Sequence, residues 1–206
     1  MQFSEYWLRQ FVNPAMNADD LGHALTMAGL EVEEQELVAQ PFNNVVIGEI
    51  ISAEKHPDAD RLQLCKVDVG QAEPLQIVCG APNARVGLKA PCAMLGAKLA
   101  DFEIKKAKVR GIESFGMMCS AKELGLAEQA DRLLEFPASA VVGQNVREYL
   151  GLDDTLYTIK LTPNRADCLS ILGVARDVVA MTGAAMNLPR ITEAKLDSNK
   201  TVTVNV

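Results

Sequence analysis

The sequence predicts an α+β fold in which a five-stranded β-barrel is inserted into a small helical domain. Three observations carry that prediction. Residues 1–40 and about 151–190 show helix caps and apolar residues at helical spacing. From about residue 44 the apolar period drops to two, and Pro, Gly and Asn cut the chain into short runs. Each flank is too short to bury a core alone, so the economical arrangement packs the flanks together with the barrel between them. The predicted division is 1–40 helical domain, first part; 41–150 barrel; 151–195 helical domain, second part; and 196–206 the start of a following domain.

The elements follow in order. Ser4 is placed to cap a short helix carrying Trp7, Leu8, Phe11 and Val12. Asn17 caps a second, with Asp19 and Asp20 in the first turn, Leu21, Ala24, Leu25 and Ala28 at helical spacing, and Gly29 as its stop. His23 reads as an ordinary helix-surface or packing histidine. Five alternating runs, 45–51, 61–69, 75–79, 89–95 and 102–109, read as strands. In the second, Leu62 and Leu64 share one face while Cys65, Val67 and Val69 share the other, which predicts a bulge between Leu64 and Cys65. Ser120 to Glu123 has capping-box spacing and predicts a short helix ended by Gly125. A long helix is predicted later, capped by Asp167, lined by Leu169, Leu172, Ala175, Val179 and Ala180, and closed by Gly183. The tail TVTVNV over 201–206 alternates like the opening of a strand, as if the chain were cut from something longer.

Composition narrows the classes. A 49% hydrophobic content excludes wholesale disorder, and no run reaches the ~18 apolar residues of a membrane span. The N-terminus lacks a signal-peptide layout, which points to the cytoplasm. Cys65, Cys79, Cys92, Cys119 and Cys168 are odd in number with no C-x-x-C pair, and read as free thiols in a reducing compartment. The net charge of −7 is an N-terminal property, because residues 1–40 hold Arg9 against seven acids. Lys105, Lys106, Lys108 and Arg110 form the dense basic cluster.

Chemical sites fare poorly. His56, Asp58 and Asp60 lie in a Pro57-containing turn with no second His or thiolate at ligand spacing, so a metal site is not expected. Asp58 and Asp60 are expected to make turn bonds to the backbone instead. Cys79 ends a strand before Gly80, yet reads as a buried small hydrophobe rather than a nucleophile. No phosphate loop, dinucleotide turn or nucleophile elbow occurs, so no catalytic residue is assigned. The basic cluster is the better candidate. On a strand, Lys106 and Lys108 share a face with Arg110 continuing the row, and Lys55, Arg61, Lys66, Arg85 and Lys89 could extend a surface that tracks phosphates. An ordinary solvated strand face is the alternative. The middle segment has few aromatics, which favours reading the backbone shape of folded RNA over stacking unpaired bases.

Three blocks, HPDADRLQLCKVDVG (56–70), QIVCGAPNAR (76–85) and KVRGIESFGMMCS (108–120), resemble the tRNA-binding OB barrel of synthetase-associated proteins. The flanking stretches FSEYWLRQFV (3–12), MAGLEVE (27–33), ELGL (123–126) and LTPNRADCLSILGVARDVV (161–179) resemble the bacterial phenylalanyl-tRNA synthetase beta subunit. That resemblance covers essentially the whole chain. It implies an OB-type barrel interrupting a small winged-helix-like domain. It further implies a two-alpha, two-beta heterotetramer that joins phenylalanine to tRNA using ATP and Mg²⁺, with catalysis in the alpha subunit and no cofactor in this segment. By position, Asn83 and Arg85 match the second block, and Lys108, Arg110, Ser114, Met117 and Ser120 the third; these are expected RNA contacts. Arg165, ending the T-P-N-R stretch over 162–165, and Asp167 just after it are expected to pin the helix start and domain contacts. The alternative to RNA binding is a scaffold that docks synthetase domains or subunits, which the acidic N-terminal flank and sparse aromatics favour.

Overall fold

The switch from helical to alternating periodicity is realised in fifteen elements, described by a computed structural model over residues 1–100, 102–193 and 201–204. In chain order they are β1 (Gln2–Ser4), α1 (Glu5–Phe11), α2 (Ala18–Met27), β2 (Glu31–Leu37), β3 (Val45–His56), β4 (Ala59–Asp68) and β5 (Leu75–Cys79). There follow β6 (Lys89–Met94), β7 (Ala107–Val109), β8 (Ile112–Ser114), β9 (Gly116–Met118), α3 (Val146–Leu150), β10 (Thr155–Lys160), a 3₁₀ turn (Pro163–Cys168) and α4 (Ile171–Thr182). The chain divides into two compact units, one of residues 1–35 with 157–206 and one of residues 36–156. The strand expected over 201–206 falls partly outside the described residues, as does most of 196–206, and Thr201 to Val204 carries no strand.

In the first unit the helix signals behave as the caps require. Ser4 accepts from the Trp7 N–H, Asn17 accepts from the Asp20 N–H, and His23 is exposed on α2. Leu8, Leu21, Leu25, Tyr157, Val174 and Val178 are buried in one core, with the Tyr157 hydroxyl donating to the Ala18 carbonyl at 2.7 Å. The unit adds a three-stranded sheet, β1-β10-β2, to the expected helices. β2 was hidden in the sequence because its glutamates swamp the alternation, leaving only Val32 half-buried.

The start of α4 needs a correction. Its cap is Ser170, which accepts from the Gly173 N–H, and not Asp167, which belongs to the preceding 3₁₀ turn. Moving the start rotates the buried stripe to Ile171, Val174, Ala175 and Val178, while Leu169 is 66% exposed. Asp167 and Asp177 instead flank the Arg165 guanidinium, whose Nη2 lies 2.5 Å from Asp177 Oδ2 and 3.3 Å from Asp167 Oδ2. These bonds hold the Asp167 carboxyl below its usual range and raise the arginine. They pin the 3₁₀ turn onto α4.

The second unit holds a five-stranded antiparallel sheet in the order β5-β4-β3-β6-β9. It curls to near closure: the Phe115 N–H donates to the Gln76 carbonyl at 2.9 Å, and Ser114 Oγ accepts from the Val78 N–H and donates to the Gly116 carbonyl. This strand order, with the closing contact between third and fifth strands, is that of an OB barrel. Inward residues alternate along β4 as Cys65 and Val67 and continue in Val69 just past its end, packing on Ile50, Ile77 and Cys92.

Three expectations change here. The fifth barrel strand is β9, not residues 102–109; β7 and β8 form a separate two-stranded hairpin. Arg110 and Gly111 both have positive φ, 47° and 90°, so the chain reverses at that point and the row Lys106, Lys108, Arg110 ends in a turn. The β4 face does not slip between Leu64 and Cys65, since Leu62 and Leu64 stay on the outer side. The irregularities in the β3–β4 pairing are Ile51, extra between Ile50 and Ser52, and the stretch 60–62, unmatched between Ala59 and Gln63. Ser120 to Glu123 forms capped turns rather than a helix: the Ser120 N–H donates to Glu123 Oε2 at 2.6 Å, and its hydroxyl bonds the same oxygen.

The ends of this unit are clasped by Arg147 on α3. Its guanidinium donates to the Gln40 and Leu152 carbonyls, pairs with Asp153 at 2.7 Å, and stacks over Phe42.

Candidate nucleic-acid interface

OB barrels take oligonucleotides on the face of their second and third strands, bordered by the first and fourth connections. In this chain those strands are β4 and β5. The first connection is the turn at Pro57 and Asp58, and the fourth carries the β7–β8 hairpin. Three side-chain bonds fix the hairpin to that face, one of them the bond from the Val78 N–H to Ser114 Oγ. Gln76 Nε2 donates to the Glu113 carbonyl at 2.8 Å, and His56 Nε2 lies 3.3 Å from the Val109 carbonyl.

His56 is 4% exposed, so the histidine is a buried pin and not a surface turn residue. Its Nδ1 accepts from the Asp58 N–H at 3.1 Å, performing the turn bond expected of Asp58 and Asp60. The bridge joins Val109, the residue before Arg110 in the hairpin turn, to the strand turn flanked by Lys55 and Arg61. Lys66 follows on β4, opposite Ser52 and Gln76 on its neighbours. Beside Lys55, Asp60, Arg61 and Leu62, a groove of about 420 Å³ runs to Gly80 and Pro82.

The exposed cations here are Lys55, Arg61, Lys66, Lys106, Lys108 and Arg110. Lys106 is the least available, with its ammonium 2.9 Å from Glu113 and 4.9 Å from the Phe115 ring centroid.

The other expected contacts lie apart from this face or inside the barrel wall. Asn83 donates to the Leu133 carbonyl and Glu135 and accepts from the Leu133 N–H. Arg85 forms a bidentate pair with Glu135 at 2.9 and 2.7 Å, which holds the Glu135 carboxyl down at about 2. Ser114 and Ser120 are buried with their hydroxyls engaged, and Met117 is half-buried in the wall beside Cys79 and Glu123. Lys89 turns its ammonium onto the Ala138 and Ala140 carbonyls, both at 2.7 Å.

All five cysteines are unpaired and buried. Burial pushes the Cys65 thiol up to about 11 and Cys92 up to about 12, and raises Cys79, Cys119 and Cys168. A disulfide-exchange reagent such as DTNB is therefore expected to leave all five unmodified in the folded protein at pH 8 and to titrate five after denaturation. Rapid native labelling of Cys79 would revive the nucleophile reading. Among the described residues one group has metal-like spacing, Asp167, Cys168 and Asp177, whose ligand atoms lie within 4.8 Å of one another. Arg165 Nη2 sits against all three, so a cation already occupies their centre.

The barrel residues 45–145 match the family described as "Putative tRNA binding domain". The phenylalanine–tRNA ligase beta subunit of Aromatoleum aromaticum is 65% identical over 93% of this chain and 24% of its own length. That of Thiobacillus denitrificans is 61% identical over the whole chain and 26% of its own length. The chain is homologous to the bacterial phenylalanine–tRNA ligase beta subunit. In Acinetobacter baylyi the beta subunit is still 54% identical over 98% of the chain. The chain spans about a quarter of the length of the beta subunits it matches. Both units lie within the alignment to the beta subunits, whereas the tRNA-binding family model covers the barrel.

His56, set aside in the sequence as a metal ligand, is the side chain that bonds the first connection to the hairpin. Its signal was local: a ring nitrogen immediately before Pro57 can accept the N–H two residues on, as Asn or Asp does in an Asx turn.

Proposed function

We propose that this chain is the N-terminal tRNA-binding and assembly portion of a phenylalanine–tRNA ligase beta subunit, and that it holds no catalytic site of its own. With two alpha and two beta subunits, the complete enzyme joins phenylalanine to its tRNA in the cytoplasm using ATP and Mg²⁺. The observation that carries the RNA role is the basic hairpin and turn, Lys55, Arg61, Lys108 and Arg110, joined through His56 on the face where OB barrels take nucleic acid. Residues 41–150 are the RNA-facing domain. The described residues do not suit Mg²⁺, which demands oxygen ligands in near-octahedral array, because the Asp167–Asp177 cluster is filled by Arg165. The resemblance to the beta subunit, in a family whose catalysis lies in the alpha subunit, is what supports placing the ATP and Mg²⁺ chemistry there.

Lys66 and the hairpin cations reach phosphates, while Asn83, Arg85, Ser114, Met117 and Ser120 shape the barrel that presents them. Ultraviolet crosslinking of folded tRNA to the chain tests this. Crosslinked peptides from 55–66 and 106–117 are expected. Crosslinks confined to residues 1–35 or 157–193 would overturn it. The scaffold role has its own support in the exposure of Tyr6 and Trp7 on α1 and in the acidic strand β2.

A further inference from the structure

We propose that His56 is a positioning residue that holds the β7–β8 hairpin in register with the β3–β4 turn, so that Arg110 and Lys108 meet the same RNA backbone as Lys55 and Arg61. The proposal rests on the RNA-binding reading and assigns the coupling of its two loops to one side chain. The hydrogen bonds fix the chemistry. Because Nδ1 accepts from the Asp58 N–H, it carries no proton; the proton sits on Nε2, which donates to the Val109 carbonyl. One ring thus shapes the first connection with one nitrogen and tethers the fourth with the other. The hairpin's other side-chain tethers on this face, Gln76 to Glu113 and Ser114 to Val78, lie toward the barrel wall, four and five residues along the chain from Val109. Without His56 the tip bearing Arg110 is free to swing while the barrel stays closed through β5 and β9.

Two amides separate the two nitrogens. His56→Asn places its carbonyl oxygen where Nδ1 was and keeps the turn bond, but does not reach Val109. His56→Gln places its amide nitrogen near Nε2 and keeps the tether, but loses the turn acceptor. Titration of folded tRNA against the 206-residue chain at several salt concentrations is expected to show a roughly tenfold weaker Kd for His56→Asn. The log–log salt slope should flatten by ~1–2, as phosphate contacts from Lys108 and Arg110 are lost. His56→Gln should stay within about threefold of the parent. Arg110→Ala should cost affinity in the parent and little in the His56→Asn background, because the contact is already gone.

The outcomes separate the two ideas. If Arg110→Ala and Lys108→Ala leave binding unchanged in the parent, the RNA-binding reading itself falls. If they weaken binding while His56→Asn binds like the parent, or while the His56 and Arg110 effects simply add, the RNA reading stands and the positioning role is overturned. Should His56→Asn fail to fold by circular dichroism, His56→Gln decides: parent-like affinity and slope support the tether, and a loss equal to that of Arg110→Ala refutes it.

Discussion

Reversing Lys106, Lys108 and Arg110 to Glu together is expected to weaken tRNA binding by about two orders of magnitude at low salt and to flatten its salt dependence. Each lost phosphate contact removes ~0.7–0.9 from the log–log slope. Lys106 is already paired with Glu113, so the loss should fall nearer two contacts than three. The reversed charges would also repel the RNA that Lys55, Arg61 and Lys66 still attract, which deepens the loss beyond simple deletion. Arg85→Gln is the control, since its guanidinium is engaged by Glu135 and the slope should scarcely move. Filter binding checks both; equal slopes for the parent and the triple variant would remove the hairpin from the interface.

Gly173→Ala is expected to destabilise the first unit by about 3 kcal/mol or more, beyond the usual range for a single methyl. A Cβ at that position would overlap the Asp167 carbonyl oxygen and stand 2.6 Å from its carbonyl carbon and 3.0 Å from Cys168 Cα. These are backbone atoms of the 3₁₀ turn, so no side-chain rotation relieves them. Retreat of the turn would strain the Ser170 cap and the Arg165 bond to Asp177, which fastens the turn to α4. Chemical denaturation followed by far-ultraviolet circular dichroism measures the effect. An unchanged midpoint would mean that the close approach of turn and helix is not part of the stable fold.

Much of the fold was legible because its signals are local. Ser4 and Asn17 cap the helices that their positions announce, and four of the five barrel strands lie where alternation puts them. The errors share a physical cause. At Ser170, Asp167 and the tail end of the 3₁₀ turn, several residues could cap the same helix, and only the packing of Gly173 on Asp167 decides which one does. At residues 102–118 a run of lysines with β spacing looks like a barrel strand, yet the positive φ of Arg110 and Gly111 folds it into a hairpin and leaves closure to Gly116–Met118.

The candidate site was legible as charge and obscure as geometry. Lys108 and Arg110 are exposed as expected, but the engagement of Arg85 by Glu135 and of Lys89 by two carbonyls depends on residues about fifty positions away. His56 stands beside two aspartates in a turn that suits no metal, and the sequence alone marks no role for it beyond that turn. Its partner, Val109, is likewise 53 residues distant, beyond the reach of any motif.

The most direct measurement is a titration of the chain with folded tRNA at two salt concentrations. Four to six phosphate contacts, opposed by the acidic first unit, predict a dissociation constant in the micromolar range or weaker and a log–log slope of ~−3 to −5. Binding that does not change with salt, or no binding at low salt, would contradict the account.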